Sequence, residues 1–563
     1  MEAAQKLDQL YEFDREPVSE DRLLGPGYFI GSFAGEHVAA TEFVIGALFV
    51  SWGATVRDIF LGLAIGNTLA VLTWTLICAP IAVETRLTLY WYLRRIGGPA
   101  VTLIYNVINA LLFCVLAGCM ITVSASAVRI PFGIPAQVEW YPTDWRFVAV
   151  VLLVGAVVVA LATLGFKSLA SFSTVCSPWM FLMFIAGAAV MLPILARQSG
   201  VGPIDSAGAF FEMCSRVIWT GQTPDGSAPL GFWKVAAFAW ICNLAMHAGL
   251  SDMALFRYAK KASYGLASIF GMFLGHYLAW ICAGIMGAGA ALMLNTQLAR
   301  LDPGEVAYQA LGSAGILAVI LAGWTTSNPT LYRAGLALQA VTPNWSRVRV
   351  TIVAGTATTL IACFPFVFTR LLDFVGLYGL LLSPAGAIVI TEHWIFPRLG
   401  LQRYWAARRK LMLNVPALVS WGGAVALALV LERSGTLHLF YLFLPVYIFT
   451  SVVYVALAYF AGAREKYPEF AHEAVQPRRV VPPTPEVASR KGRASTFIAG
   501  FAALASLVVC LAIPVSVAVN EQADFAERLD GMKGWLMTAT LIYFVAGTVF
   551  YNLWRKREDS ASA

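Results

Sequence analysis

Charge is what this sequence has least of. Only 13% of its 563 residues are Asp, Glu, Lys or Arg, about half the share of an ordinary soluble domain. A chain so poor in charge cannot clothe a water-facing surface. Cysteine is also thin: there are nine, and Cys78, Cys114, Cys119, Cys176, Cys242, Cys282, Cys363 and Cys510 fall inside apolar runs with no CxxC pair. That scatter reads as small packing residues rather than metal ligands or a disulfide framework. HExxH, Walker and paired-acid signatures are missing, so neither an enzyme nor a resident cofactor is expected. The first 27 residues mix acids and bases and lack the basic start, short apolar core and small-residue cleavage site of a signal peptide, so the first helix is expected to be retained.

Apolar length is what the chain has in abundance. Hydrophobic residues make up 59% and the mean hydropathy is +0.71. Runs near the roughly 20 residues that cross a bilayer recur at 29–51, 56–80, 98–127, 147–165, 170–196, 233–255, 264–294, 308–327, 350–369, 371–396, 412–432, 436–463, 496–519 and 535–554. About fourteen spans are expected, twelve in a core and two at the C-terminal end.

Positive charge supports the spacing, because Lys and Arg stay on the cytoplasmic side of short loops. Arg86, Arg94 and Arg95, then Lys167, then Arg257, Lys260 and Lys261, then Arg333, Arg347 and Arg349, and then Arg398 to Lys410 fall on alternate loops. The net charge of +7 is thus distributed by topology and marks no nucleic-acid partner. Both termini are expected in the cytoplasm of a multi-pass inner (plasma) membrane protein. The chain divides into a cytoplasmic segment 1–27, a core 28–463, a Pro-rich cytoplasmic linker 464–495, two further helices 496–555 and a tail 556–563. The long connection 197–232 separates two five-helix halves.

Polar side chains in hydrocarbon are costly and usually mark function. The first span carries Gly35-Glu36-His37 and Glu42, and the sixth carries Asn243, His247, Gly249 and Asp252. Each opens its half, as the broken helices of inverted-repeat transporters do. The eighth carries Thr325-Thr326-Ser327-Asn328-Pro329, whose hydroxyls and proline-freed carbonyl supply hard oxygen ligands for a small cation. Interhelical hydrogen bonding by these hydroxyls is the plain alternative. Glu84 with Arg86, and Arg370 with Asp373, read as interfacial ion pairs, and Glu392 with His393 as snorkelling groups.

These residues resemble the nucleobase-cation symporter family one, the purine-cytosine permease or hydantoin-transporter family, over about residues 20 to 460. The likeness lies in Glu84-Thr85-Arg86 through Tyr90-Trp91-Tyr92 to Gly97-Gly98, in Ser251-Asp252 followed by Phe256-Arg257-Tyr258, and in Trp324-Thr325-Thr326-Ser327. It implies a leucine-transporter-like core of five plus five inverted helices with broken first and sixth spans. It also implies a sodium site of backbone at Ala34 and Val38, the Ala322 carbonyl, and Thr325 with Thr326. In the third span, where the family places a tryptophan and a glutamine for its heterocycle, this chain has Phe113 and no amide.

The expected function is symport of a small nitrogen-containing solute, such as a nucleobase or related heterocycle, with Na+, or with H+ as the variant. Glu36, His37, Phe113, Trp240, Asn243, His247 and Asn328 would line the solute site. A proton-coupled amino acid or amine permease and a non-transporting sensor on the same fold are the alternatives. The lipid bilayer is the remaining partner, and sequence leaves the oligomeric state open.

Overall fold

The computed structural model describes residues 13, 15–137, 139–298, 301–342, 344–365, 371–467, 491–519 and 525–561. Most of the linker expected at 464–495, residues 1–12 of the leading segment, and Arg370 lie outside them. Regular structure among the described residues is helical, apart from isolated bridges of Leu24 with Ala259 and Thr55 with Thr220.

The helices that matter here are α1 (Pro26–His37), α2 (Thr41–Ser51), α3 (Asp58–Thr85), α4 (Leu89–Val128), α5 (Trp145–Ala162) and α6 (Phe166–Ser199). After the long connection come α7 (Phe232–Ile241), α8 (Ala262–Met293), α9 (Pro303–Leu311), α10 (Ser313–Gln339) and α11 (Arg347–Ala362). Then follow α12 (Phe374–Arg398), α13 (Val415–Arg433), α14 (Phe443–Ala463), α15 (Ala494–Val519) and α16 (Phe525–Arg557).

Packing shows the two halves directly. The first span meets the seventh through α2 and α8, and the sixth meets the second through α7 and α3. The first packs on the fifth (α1 on α6), and the sixth, through Leu244–His247, on the tenth (α12). The third packs on the eighth (α4 on α10) and the fourth on the ninth (α5 on α11). Exchanging each helix of one half for its counterpart in the other maps this set of contacts onto itself. Five crossings per half is an odd number, so the equivalent halves are inverted across the membrane. The molecule is an all-α, multi-pass membrane protein with a five-plus-five inverted-repeat core. Helices α13 and α14 pack on α12, while α15 and α16 pair with each other and lie against α6.

Both opening spans are broken. Helical dihedrals end at Val38 (φ −86°, ψ 63°), and α1 and α2 meet at a bend of 52°. Gly275 of α8 lets the break approach, because a Cβ there would lie 2.0 Å from the His37 carbonyl oxygen. The sixth span stops at Ile241 and resumes as single turns at Leu244–His247 and Met253–Phe256. Leu250 between them takes a left-handed φ of 66°, and Ser251 N–H donates to Ala245 O, closing the first turn as a Schellman-type cap. The 40-residue α4 is divided by Gly98 (φ 75°) and Pro99, which frees a span of ordinary length beyond them.

Ten described helices are long and apolar enough to cross a membrane, or eleven with the bent first pair. The other expected spans are the sixth, which is fragmented; the ninth, at 16 residues; and the eighth, which runs to Gln339 rather than 327 and is more polar. Arg333 therefore lies inside a helix and not on a loop. Arg257 and Arg347, also expected on loops, are buried. Arg257 donates to Ala254 O and Phe13 O, and Arg347 donates to Ala162 O and Thr163 O at the end of α5.

Candidate functional site

The face of α10 turned toward the first break carries Ala322, Thr326, Thr330 and Arg333, which recur at helical spacing. The Thr326 hydroxyl lies 2.7 Å from the carbonyl oxygen of Glu36 and 3.0 Å from that of Ala322. Its single hydrogen serves one of them at a time, so its lone pairs stay available. The Thr325 hydroxyl lies 3.2 Å from Ala322 O, 3.0 Å from Leu321 O and 4.0 Å from the Met180 sulfur of α6. Two hydroxyls thus converge on the Ala322 carbonyl, and the break adds a second carbonyl. The oxygen from the first span that reaches Thr326 belongs to Glu36, between the expected Ala34 and Val38. Ala34 O is occupied by the N–H of Val38 at 3.1 Å.

Seven residues beyond Thr326, Arg333 ties the two breaks together. Its guanidinium donates to both carboxylate oxygens of Glu36, at 2.6 and 3.0 Å, and to Oδ1 of Asp252 at 2.5 Å. The other Asp252 oxygen accepts from the Trp74 indole of α3 at 2.7 Å. Arg333 and Asp252 are wholly buried and Glu36 nearly so. Desolvating such groups is costly unless every charge is matched and hydrogen-bonded. Here one guanidinium faces two carboxylates, which leaves an excess negative charge two turns of α10 from Thr326.

Imidazoles fill the space between the breaks. His37 packs edge-on to Trp74 and to His276, with centroids at 5.7 and 5.2 Å. His247 lies 4.7 Å from Trp74 and bonds through Nε2 to Trp240 O at 2.9 Å. His276 of α8 stacks on Trp280 at 4.5 Å and sits 3.4 Å from the Asn243 amide and 3.6 Å from Glu42 Oε1.

A small cavity of about 50 Å³ lies among these groups. Glu36, His37 and Asn243 line it, as do Glu42, His276 and Thr326. The other expected solute contacts are elsewhere. Phe113 stands one layer back against Tyr378, a lining residue, at 6.2 Å. Trp240 donates to Thr73 at 3.0 Å and meets Phe443 edge-on. His247 backs His37 from the Trp74 side. Asn328 is buried with both amide atoms unpartnered and lies about 200° round α10 from Thr326.

A wider cavity of about 680 Å³ opens at the far end of α2, among Trp52, Asp225, Lys234, Gln297, His438 and Phe440. Hydrogen bonding from Ser227 holds the Asp225 carboxyl below its usual range. Burial, helped by Lys234, pushes the His438 imidazole down. Aromatic rings separate the two cavities: Phe440 meets Phe238 at 5.0 Å, Phe238 meets Phe49 at 5.5 Å, and Phe49 meets Trp280 at 5.6 Å. This wall ends on His276 at the inner cavity.

At the opposite end the expected Glu84 and Arg86 pair does not form. Glu84 binds His393 at 3.1 Å and Arg403 at 3.0 Å, while Arg86 donates to Arg257 O and Ala259 O. Glu392 does not snorkel. It is buried and accepts from the Tyr454 hydroxyl and the Tyr404 N–H. Arg333, His276 and Trp74 are site residues that sequence reasoning missed. Arg333 had a signal, its seven-residue spacing from Thr326, and a lone histidine inside an apolar run such as His276 is another.

Broken first and sixth helices facing a third-and-eighth-helix scaffold define a polytopic membrane protein of the leucine-transporter-like fold. No protein-family model matches the sequence, and no curated protein does. Among solved structures the chain is similar to Mhp1, a nucleobase-cation-symport-1 family transporter, in a closed conformation with bromovinylhydantoin bound. The identity is 17%, with 80% of this chain and 96% of that one covered and a TM-score of 0.62. An inward-facing conformation of Mhp1 gives 0.57 at the same coverage. A Na+-coupled sialic acid symporter in a substrate-bound outward-open state gives 0.56 at 13% identity, covering 81% and 96%. At such identities the likeness is one of fold.

Proposed function

We propose that this protein is a secondary active transporter that couples a small nitrogen-containing solute, such as a nucleobase or related heterocycle, to a cation gradient, Na+ in the leading form. The observation that carries it is the Thr326 hydroxyl bridging the Glu36 carbonyl at the break of the first span and the Ala322 carbonyl of α10. Unwound backbone carbonyls at a helix break hold alkali cations in inverted-repeat transporters, and a hydroxyl oxygen beside them is a hard ligand of the same kind. The uncompensated charge of Glu36, Asp252 and Arg333 favours a cation beside them. The solved structures of similar fold include transporters described as cation symporters, which agrees with this reading.

The mechanism follows from position. A cation held between Thr326 and Glu36 O fixes α1 against α10, and Arg333 transmits that order to Asp252 of the sixth span, so the cavity between the breaks takes its solute-binding shape when the cation is present. Rocking of the broken spans then exposes both occupants to the opposite side. The test is uptake into proteoliposomes under an imposed Na+ gradient. Accumulation that collapses without the gradient and in Thr326→Val supports the reading, and Na+-independent uptake refutes it. Proton coupling is the second reading, favoured by the two buried imidazoles that line the cavity, His37 and His276. Uptake driven by a pH step in Na+-free buffer would select it.

A further inference from the structure

Two buried carboxylates of the core that lack a salt bridge differ in one respect. Glu392 spends its oxygens on the Tyr454 hydroxyl and the Tyr404 N–H. Glu42, on α2, leaves Oε2 with no hydrogen bond and has the ring of His276 at 3.6 Å from Oε1. Its side chain is 2% exposed, and no guanidinium or ammonium group pairs with it among the described residues. Burying a lone carboxylate in a membrane core costs several kcal/mol. The place of Glu42 in the first turn of α2 gives it the partial positive charge of a helix N-terminus, yet no cationic side chain among the described residues matches it as Arg333 matches Glu36.

The unmatched oxygen belongs to a residue on the wall of the inner cavity, beside the Asn243 amide, His276 and Thr330. On the transport reading above, we propose that Glu42 is the anionic anchor of the solute, and that the solute presents a positively charged nitrogen, an amine, amidine or guanidine, to it. Charge balance agrees with the assignment when the carboxylates are ionised beside their cationic occupants. Glu36 and Asp252 exceed Arg333 by one negative charge, and the coupling cation at Thr326 offsets it. Glu42 adds a second negative charge a few residues along the same broken span, and a cationic solute offsets that one. The closed core is electrically balanced when both occupants are present, so each occupant favours the other's binding. His276 stands between the carboxylate and the Asn243 amide, and Tyr378, backed by Phe113, supplies the apolar wall for the solute's carbon skeleton.

The test uses the full-length protein in lipid nanodiscs, with thermal unfolding read in the presence of matched probes. These are methylguanidine against methylurea, acetamidine against acetamide, and propylamine against propanol, each with and without Na+. At least one cationic member stabilises the protein, more strongly with Na+, and its neutral partner does not. Glu42→Gln weakens that probe by about tenfold or more, the scale of losing a charge-assisted hydrogen bond. Glu42→Asp keeps part of the effect. The Na+ shift itself survives in Glu42→Gln and disappears in Thr326→Val. Equal stabilisation by neutral and cationic partners, as a protonated Glu42 would give, overturns the proposal. So does full retention in Glu42→Gln, or a wild-type protein that no cationic probe stabilises. If the probes bind through Glu42 but no gradient drives their accumulation in proteoliposomes, the anchor stands and the transport reading falls.

Discussion

Arg333 and Glu36 lie 297 positions apart in the chain and meet through two parallel hydrogen bonds of 2.6 and 3.0 Å in the centre of the protein. With Asp252 on the same guanidinium, the pair fastens both helix breaks to one point on α10. Removing one member of a buried ion pair typically costs about 3–5 kcal/mol, because the partners are left charged and dry. Arg333→Met is therefore expected to lower the thermal midpoint strongly in nanodiscs. The triple variant Glu36→Gln, Asp252→Asn, Arg333→Met should recover most of that loss. A single variant as stable as the parent would show that the network carries no structural weight.

The two threonines should separate in a cation titration. Thr326→Val keeps the shape and removes the hydroxyl that reaches Glu36 O, so Na+-dependent stabilisation should vanish. Thr325→Val should reduce it less, since that hydroxyl faces Leu321 O and Met180 and does not reach the first span. Thermal shifts over a Na+ series, with K+ as control, measure both.

Gly275 is a steric prediction. A methyl group there would stand 2.0 Å from the His37 carbonyl oxygen and 2.9 Å from its Cβ. Neither is the flexible end of a side chain. Gly275→Ala is expected to destabilise by about 1–3 kcal/mol, as overpacking does, and to weaken solute and cation responses together. Gly422, which has open space around it, should accept alanine without loss and serves as the control.

How much of this was readable in the residues depends on how each polar group interrupts its helix. Gly35-Glu36-His37 stands out because three consecutive residues depart from an apolar run, and the first helix bends there. Thr325-Thr326 stands out as adjacent hydroxyls before a proline. Arg333 hides for a physical reason: the stripe that makes α10 polar lowers its hydropathy, so an apolar window ends at 327 and the arginine is assigned to a loop. His276 hides in the opposite way, as one imidazole whose apolar neighbours mask it. Partners such as Trp74 for Asp252, or Arg403 for Glu84, come from distant segments and follow from packing alone.

Lys234 offers a test of sidedness. It lines the wide cavity beyond the aromatic wall, on the side that the positive-charge pattern assigns to the exterior. Eight of the nine cysteines are buried and none forms a disulfide. A membrane-impermeant thiol reagent added to intact cells should therefore label Lys234→Cys well above the parent. Labelling that appears after the membrane is opened would invert the assigned topology.

The last two helices grip α6 from the side away from the break. Trp179 donates to Thr540 at 3.0 Å, Tyr543 to Val175 O at 2.6 Å, and Tyr551 to Ser171 at 3.0 Å. On its other side α6 presses Ser173 and Thr174 against Gly35 and Gly31 of α1. Any displacement of α6 must then carry two extra helices with it, and these present Phe497, Phe501, Leu504 and Val508 outward. Lipid has to be rearranged around that added cross-section in every cycle, so turnover should acquire a dependence on bilayer thickness and fluidity that a bare ten-helix core would not have.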